Sequence, residues 1–244
     1  MWDPEYTHCQ MTFVLASDIH ANLPALEAFY AYLEGHGLAG FPRIYLGDYV
    51  SLGPYPGETV ARLSADTSSV FLRGNHDRYV IDDALLQANP YFSEPGAMDH
   101  VRWTHDQLTP ENHAWLASLK PVHRFQADGW NVVVTHGNPD TDEMTLSADR
   151  AEEGTVYLCG HTHVPRNETL HGSRILNPGS LGKPLDGDNR ASFGLVRLGP
   201  GFAEFEVIRI PYNIEQTIAA LEDRKVPWRA GIIESLRTAA YSHE

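Results

Sequence analysis

Five apolar, β-branched runs in this chain stop on the same kind of residue. "TFVLASD", "RIYLGD", "SSVFLRG", "NVVVTHG" and "TVYLCGH" each give way to Gly, Asp, Asn or His at the C-terminal end. The runs have the length of buried strands and alternate with stretches of helical period, so the fold class is read as α/β rather than all-helix or all-β. In open α/β sheets the carboxyl ends of the strands fix loop residues that converge in one crevice, and a functional site is expected there.

The first run leads into a helix predicted from Leu23 to Glu34. Asn22 is its N-cap, Leu23, Leu26, Tyr30 and Leu33 form its apolar face, and Gly35 lies past its end. "ASFGLVRL" and "FAEFEVIRI", around a Gly-Pro-Gly turn at 199–201, predict a late hairpin. From Tyr79 to Pro121 the pattern is helical and carries Tyr91, Phe92, Trp103 and Trp115; these aromatics are expected to form the core of an insertion rather than a base-stacking platform. A helix capped by Asn213, with Gln216 at capping-box spacing, and a short helix near Ile232 follow. The domain reading is a tail over 1–10 and a single domain over 11–244, with the helical insertion at about 79–121.

Composition narrows the function. An apolar share of 42% is that of a globular protein. No apolar run approaches the roughly 18 residues of a membrane span. "MWDPEYTHCQ" carries acids where a signal peptide carries bases, so a cytoplasmic protein with no membrane partner is expected. Cys9 and Cys159 cannot make a disulfide framework. A net charge of −14 argues against a stable complex with polymeric nucleic acid. Any handling of phosphate therefore needs a local source of positive charge.

The strand ends supply one. Asp18 and His20 in "SDIH", at i and i+2, can point the same way; Asp48 follows in "GDYV", Asn75, His76 and Asp77 in "GNHD", His136 in "VTHG", and His161 and His163 in "CGHTH". Each alone is explained by a turn or by a hydrogen-bonded surface imidazole. Together, two carboxylates, four imidazoles and an amide offer mixed nitrogen and oxygen donors for two divalent ions, and one of the aspartates is expected to bridge them.

In this order "DIH", "GDYV", "GNHD", "H" and "GHTH", extended by "NPGS" at Asn177 to Ser180, resemble the calcineurin-like metallophosphoesterase superfamily. The resemblance implies a four-layer α/β/β/α sandwich of two mixed sheets flanked by helices. It assigns Asp18, His20, Asp48 and His163 to one metal and Asp48, Asn75, His136 and His161 to the other, with Asp48 bridging. Manganese, iron, zinc and nickel all suit such donors. Two divalent ions bring more charge than two aspartates remove, and a hydroxide bridging the ions would attack phosphorus in line.

His76, next to a ligand but in neither set, is the candidate to serve the leaving oxygen. Asp77 either orients its ring, caps a helix or pairs with Arg78. Asn22, Arg78, Arg166 and Lys183 are candidate substrate contacts, while His100, His105 and His113 fall at no ligand spacing. "SDIHANLPALEA" and "NPGS" look most like the small bacterial and archaeal phosphodiesterase branch related to dinucleoside polyphosphate hydrolases, which implies a small nucleotide-type substrate. "GDYV" is also similar to the serine/threonine phosphatases, but "SLGPYP" stands where they carry Asp-Arg-Gly. A phosphomonoesterase or protein phosphatase, and a non-enzymatic scaffold of the same fold, are the alternatives.

Overall fold

The structure, a computed structural model, describes residues 11–82, 84 and 96–241. The tail over 1–10, with Cys9, and the insertion's Tyr91 and Phe92 lie outside the described residues. The first half runs β1 (Met11–Ala16), α1 (Leu23–Gly35), β2 (Arg43–Tyr45), α2 (Pro56–Ser64), β3 (Val70–Phe71), α3 (Asn75–Ile81), α4 (Ala97–Asp106) and α5 (Pro110–Ser118). It continues through β4 (Val122–Ala127), β5 (Trp130–Thr135), β6 (Thr155–Leu158), β7 (Arg166–Leu170), β8 (Ser173–Asn177), β9 (Ala191–Gly199), β10 (Phe202–Ile210), α6 (Ile214–Asp223) and α7 (Arg229–Thr238).

The strands form two mixed five-stranded sheets, ordered β10-β9-β1-β2-β3 and β4-β5-β6-β8-β7. Strands β1, β2 and β3 are parallel, as are β5, β6 and β8, so in each sheet several carboxyl ends share one edge. The predicted hairpin is β9–β10, with Gly199 paired to Phe202.

Strand alternation builds the layers. Side chains two apart share a face, so Phe13, Leu15, Val132, Val134, Val156, Leu158, Val196 and Leu198 meet between the sheets. Val14 and Ala16 face the other way, onto Ala25, Leu26, Phe29 and Leu33 of α1. The buried face of α1 thus runs through Phe29 rather than the expected Tyr30, which is only half-buried. On the far side of the second sheet, Val133, Tyr157 and Ile175 pack against Leu146 and Ala151 of the loop that follows β5. Among the described residues no helix is long and apolar enough to cross a membrane.

The described residues of the insertion pack into neighbouring cores rather than into one of their own. Val101 of α4 and Leu116 of α5 join the cluster that holds β1 and α1, and Trp115 lies 5.4 Å from the Tyr49 ring and 5.3 Å from the Phe71 ring. Trp103 packs instead against the cluster of Ile218, Leu221, Ile232 and Leu236 from α6 and α7. Aromatic surface is buried where most area is removed from water, and that is the neighbouring core. Trp115→Ala is therefore expected to lower the global stability read from urea unfolding by about 3 kcal/mol. An insertion with a separate core would show the loss as a separate early transition.

Candidate metal centre

The backbone abandons strand geometry before the first donor. β1 ends at Ala16, and Asp18 (φ 54°), His20 (φ 50°), Asp48 (φ 58°), His161 (φ 69°) and His163 (φ 59°) all sit in the left-handed region. The i, i+2 strand geometry expected for Asp18 and His20 is thus replaced by left-handed turns. For a residue with a Cβ that conformation costs roughly 1–2 kcal/mol, and residues so held cluster at functional sites. The turns hold one another: Asp18 N–H donates to Gly47 O at 3.1 Å, His20 N–H to Asp48 O at 2.9 Å and Gly160 N–H to His136 O at 2.8 Å. Two glycines permit this closeness. A Cβ on Gly74 would lie 2.1 Å from Asp48 Oδ1, and one on Gly160 would lie 2.0 Å from Ser17 Oγ.

Donor atoms of Asp18, His20, Asp48 and His163, all buried, lie within 4.8 Å of one another. The remaining predicted donors adjoin them. Asn75 Oδ1 is 3.0 Å from His136 Nε2 and 3.1 Å from His161 Nδ1, and His136 Nε2 is 3.3 Å from Asp48 Oδ2.

The tautomers reveal what such a cluster needs. His136 Nδ1–H donates to Leu46 O at 2.9 Å and His163 Nδ1–H donates to Lys183 O at 2.6 Å. In a neutral ring the Nε2 atoms then carry lone pairs. His136 Nε2 would aim its lone pair at two oxygens, and His163 Nε2 stands 3.0 Å from His20 Nε2 and 3.4 Å from Asp18 Oδ1. Asp18 Oδ1 is buried without a hydrogen-bond donor. Lone pairs converge there only if protons or cations lie among them, so the donor set fits divalent ions.

The electrostatics agree. Burial would raise the Asp18 carboxyl, but the His163 and His136 rings hold it down at about 2. Asp48 is likewise held well below the carboxylate range against its burial, first by His136. Burial also opposes charging His136, yet Asp48 and Asp18 lift that ring to about 10. Burial, by contrast, drives His20 well below its ordinary value and His76 down to about 4. A proton on His136 sits where positive charge is required, and a divalent ion meets the same need by displacing it.

The other predicted residues divide by what holds them. His76 donates its N–H to Asp48 Oδ1 at 2.8 Å and sets its ring edge-on to His20, 5.1 Å between centroids. Asp77 binds backbone instead of orienting a ring. Its oxygens accept from the N–H groups of Asp48 (2.8 Å), Tyr49 (2.8 Å), Gly74 (2.9 Å) and Val50 (3.3 Å), so of the alternatives for Asp77 the structure supports the cap.

Three of the four candidate substrate contacts are already engaged. Arg78 holds Asp142 and Glu143, each at 2.6 Å. Arg166 holds Glu168 at 2.8 Å and Leu146 O at 3.1 Å. Asn22 caps α1 through Ala25 N–H, accepts from Thr217 and donates to Gly182 O at 2.7 Å and to Tyr212. Each therefore has a structural role, whereas the Lys183 side chain makes no hydrogen bond or ion pair among the described residues and lies 5.5 Å from the Tyr241 ring centroid.

Sequence reasoning missed several supports. "NPGS" is scaffolding, since Asn177 Nδ2 donates to Gly160 O at 2.6 Å and Ser180 Oγ to Asp18 O at 2.7 Å. His100 is buried, accepting from Leu52 N–H at 2.6 Å and lying 3.2 Å from Pro227 O. The one available signal was a glycine beside almost every donor motif.

Fold and site together define a class. Residues 11–199 match the calcineurin-like phosphoesterase superfamily domain. The chain belongs to that superfamily, hydrolases of phosphoester bonds. It is 30% identical over 233 residues to an uncharacterized protein of Methanocaldococcus jannaschii, across 86% of this chain and 92% of the relative. It is 29% identical over 199 residues to phosphodiesterase YfcE of Escherichia coli K12, across 76% of this chain and 87% of that one. The crystal structure of a metallophosphoesterase from Sphaerobacter thermophilus superposes with a TM-score of 0.71 at 27% identity, over 94% of this chain and 100% of that one. A Pyrococcus horikoshii protein, 19% identical over 95% of this chain and 99% of its own, shares the fold with a TM-score of 0.78.

The role of Asp77 can be tested. Asp77→Ala leaves buried N–H groups unpaired at about 1–3 kcal/mol each, so melting temperature and manganese affinity are both expected to fall, by several degrees and at least tenfold. Were Asp77 only a partner of the His76 ring, both would stay near wild type. Gly74→Ala is expected to reduce bound metal, read by elemental analysis, because its methyl displaces the Asp48 carboxylate.

Proposed function

We propose that this chain hydrolyses phosphodiester or phosphoanhydride bonds of a small nucleotide-type substrate with two divalent ions. Asp18, His20, Asp48 and His163 would hold one ion, and Asp48, Asn75, His136 and His161 the other. The observation that carries the reading is the position of Asp48 Oδ2, 3.8 Å from His20 Nε2 and 3.3 Å from His136 Nε2, so that one carboxylate can serve both sets. When bound, two such ions polarise phosphoryl oxygens and bring the pKa of water toward neutrality. Manganese fits the donors, as do iron, zinc and nickel.

The protein's own groups do the rest. Leu46 O and Lys183 O fix His136 and His163 in the tautomer that turns Nε2 inward. Asn75 contributes a neutral oxygen, which completes a donor set without cancelling the positive charge that draws a phosphate into a chain of net charge −14. His76, tethered by its backbone N–H to Asp48, offers the leaving oxygen a hydrogen bond from its neutral imidazole. The similarity to an enzyme named a phosphodiesterase favours diesters over monoesters.

The test compares bis(p-nitrophenyl) phosphate with p-nitrophenyl phosphate on manganese-loaded protein. A higher kcat/KM for the diester is expected, and a strong monoester preference would make the chain a phosphomonoesterase. Protein that neither retained metal nor cleaved either ester would be a scaffold. His76→Ala is expected to keep two ions per chain and lose roughly 10²-fold in kcat; loss of an ion would instead make His76 a ligand.

A further inference from the structure

Of the candidate substrate contacts, Lys183 alone has a side chain with no hydrogen bond or ion pair among the described residues. It is only 7% exposed, and among the described residues no carboxylate pairs with its ammonium. The Tyr241 ring centroid lies 5.5 Å from Lys183 Nζ. Its carbonyl is the group that fixes His163, so the residue is built into the metal-ligand loop. Tyr241 is 70% exposed.

A buried ammonium without a counter-charge destabilises a fold, and a chain with 32 acidic residues has no shortage of counter-charges. Arg78 and Arg166 do have theirs, in Asp142, Glu143 and Glu168.

We propose that Lys183, walled on one side by Tyr241, is a second anion subsite that takes the phosphate next to the one at the metal centre, and so selects phosphoanhydrides over simple diesters. This rests on the reading of the centre as a phosphate-binding site. The ammonium forms charge-assisted hydrogen bonds to the non-scissile phosphate, and the ring limits competition from water.

The probes are ADP and AMP, titrated calorimetrically into manganese-loaded protein, so that the readout is binding rather than turnover. Wild type is expected to bind ADP about tenfold tighter than AMP, as one charge-assisted contact allows. Lys183→Met is expected to bring the ratio of the two affinities close to one, Lys183→Arg to retain most of it, and Tyr241→Ala to reduce it by about threefold. Lys183→Met is also expected to melt no lower than wild type, because it removes an unpaired buried charge.

Equal binding of ADP and AMP by wild type, or an unchanged ratio in Lys183→Met, overturns the subsite and leaves the phosphodiesterase reading standing. Failure of both nucleotides to bind, together with no cleavage of bis(p-nitrophenyl) phosphate, overturns that reading and the subsite with it.

Discussion

Two ionised carboxylates, Asp18 and Asp48, buried within reach of the same imidazoles, set the terms for everything around them. Neither can stay charged in a dry interior unless positive charge is brought to it, and neither can be moved without breaking a turn. That demand raises the His136 ring above its ordinary value, against its burial, through Asp48 and Asp18. The same demand explains why backbone carbonyls of Leu46 and Lys183, rather than further carboxylates, fix the histidine tautomers: another buried anion would have raised the requirement again.

The position of Asp48 depends in turn on Asp77. That carboxylate gathers N–H groups from Asp48, Tyr49, Val50 and Gly74, so the loop after β2 and the start of α3 close on one another as a unit. Burial and the neighbouring charge of Asp48 push the Asp77 carboxyl up to about 7, while the N–H groups pull the other way. The N–H bonds fix the loop that presents Asp48, and the motif "GNHD" therefore contains two separate functions. Asn75 and His76 face the centre, and Asp77 holds the frame.

Much of this was legible in the chain itself, and the limits are physical. The sheets could be read because strand burial repeats every two residues, as Phe13 and Leu15 against Val14 and Ala16 show. The donors could be read because Asp, His and Asn at the ends of apolar runs are unusual residue types in unusual places. The helix cap of Asn22 was legible too, but its bond to Thr217, 195 residues away, and the partners of Arg78, 64 or more residues away, were not; Arg166 meets Glu168 only two residues on, yet a cation in sequence carries no mark of whether an acid will meet it. Phe29 over Tyr30, and Trp115 in the main core, depend on which neighbouring surface was free to be covered. The left-handed turns were invisible for a different reason, because Asp and His have no intrinsic need of them; the glycines that let the turns touch were the only trace.

Those turns also tie the site to the cost of holding it. Asp18, His20, Asp48, His161 and His163 all occupy a conformation that a chain avoids unless its surroundings impose it. The surroundings here are the close contacts at Gly74 and Gly160 and the hydrogen bonds from Asn177 and Ser180. Strain, buried charge and an unpaired lysine all lower stability, and all three meet at one end of two sheets whose remaining faces are filled with Val, Leu, Ile and Phe. A fold that concentrates its unfavourable terms so closely gains from any ligand that brings the missing charges: cations for the carboxylates, and an anion for Lys183. Binding and folding are then coupled through the same few atoms, and the arrangement favours a substrate that carries negative charge at more than one point.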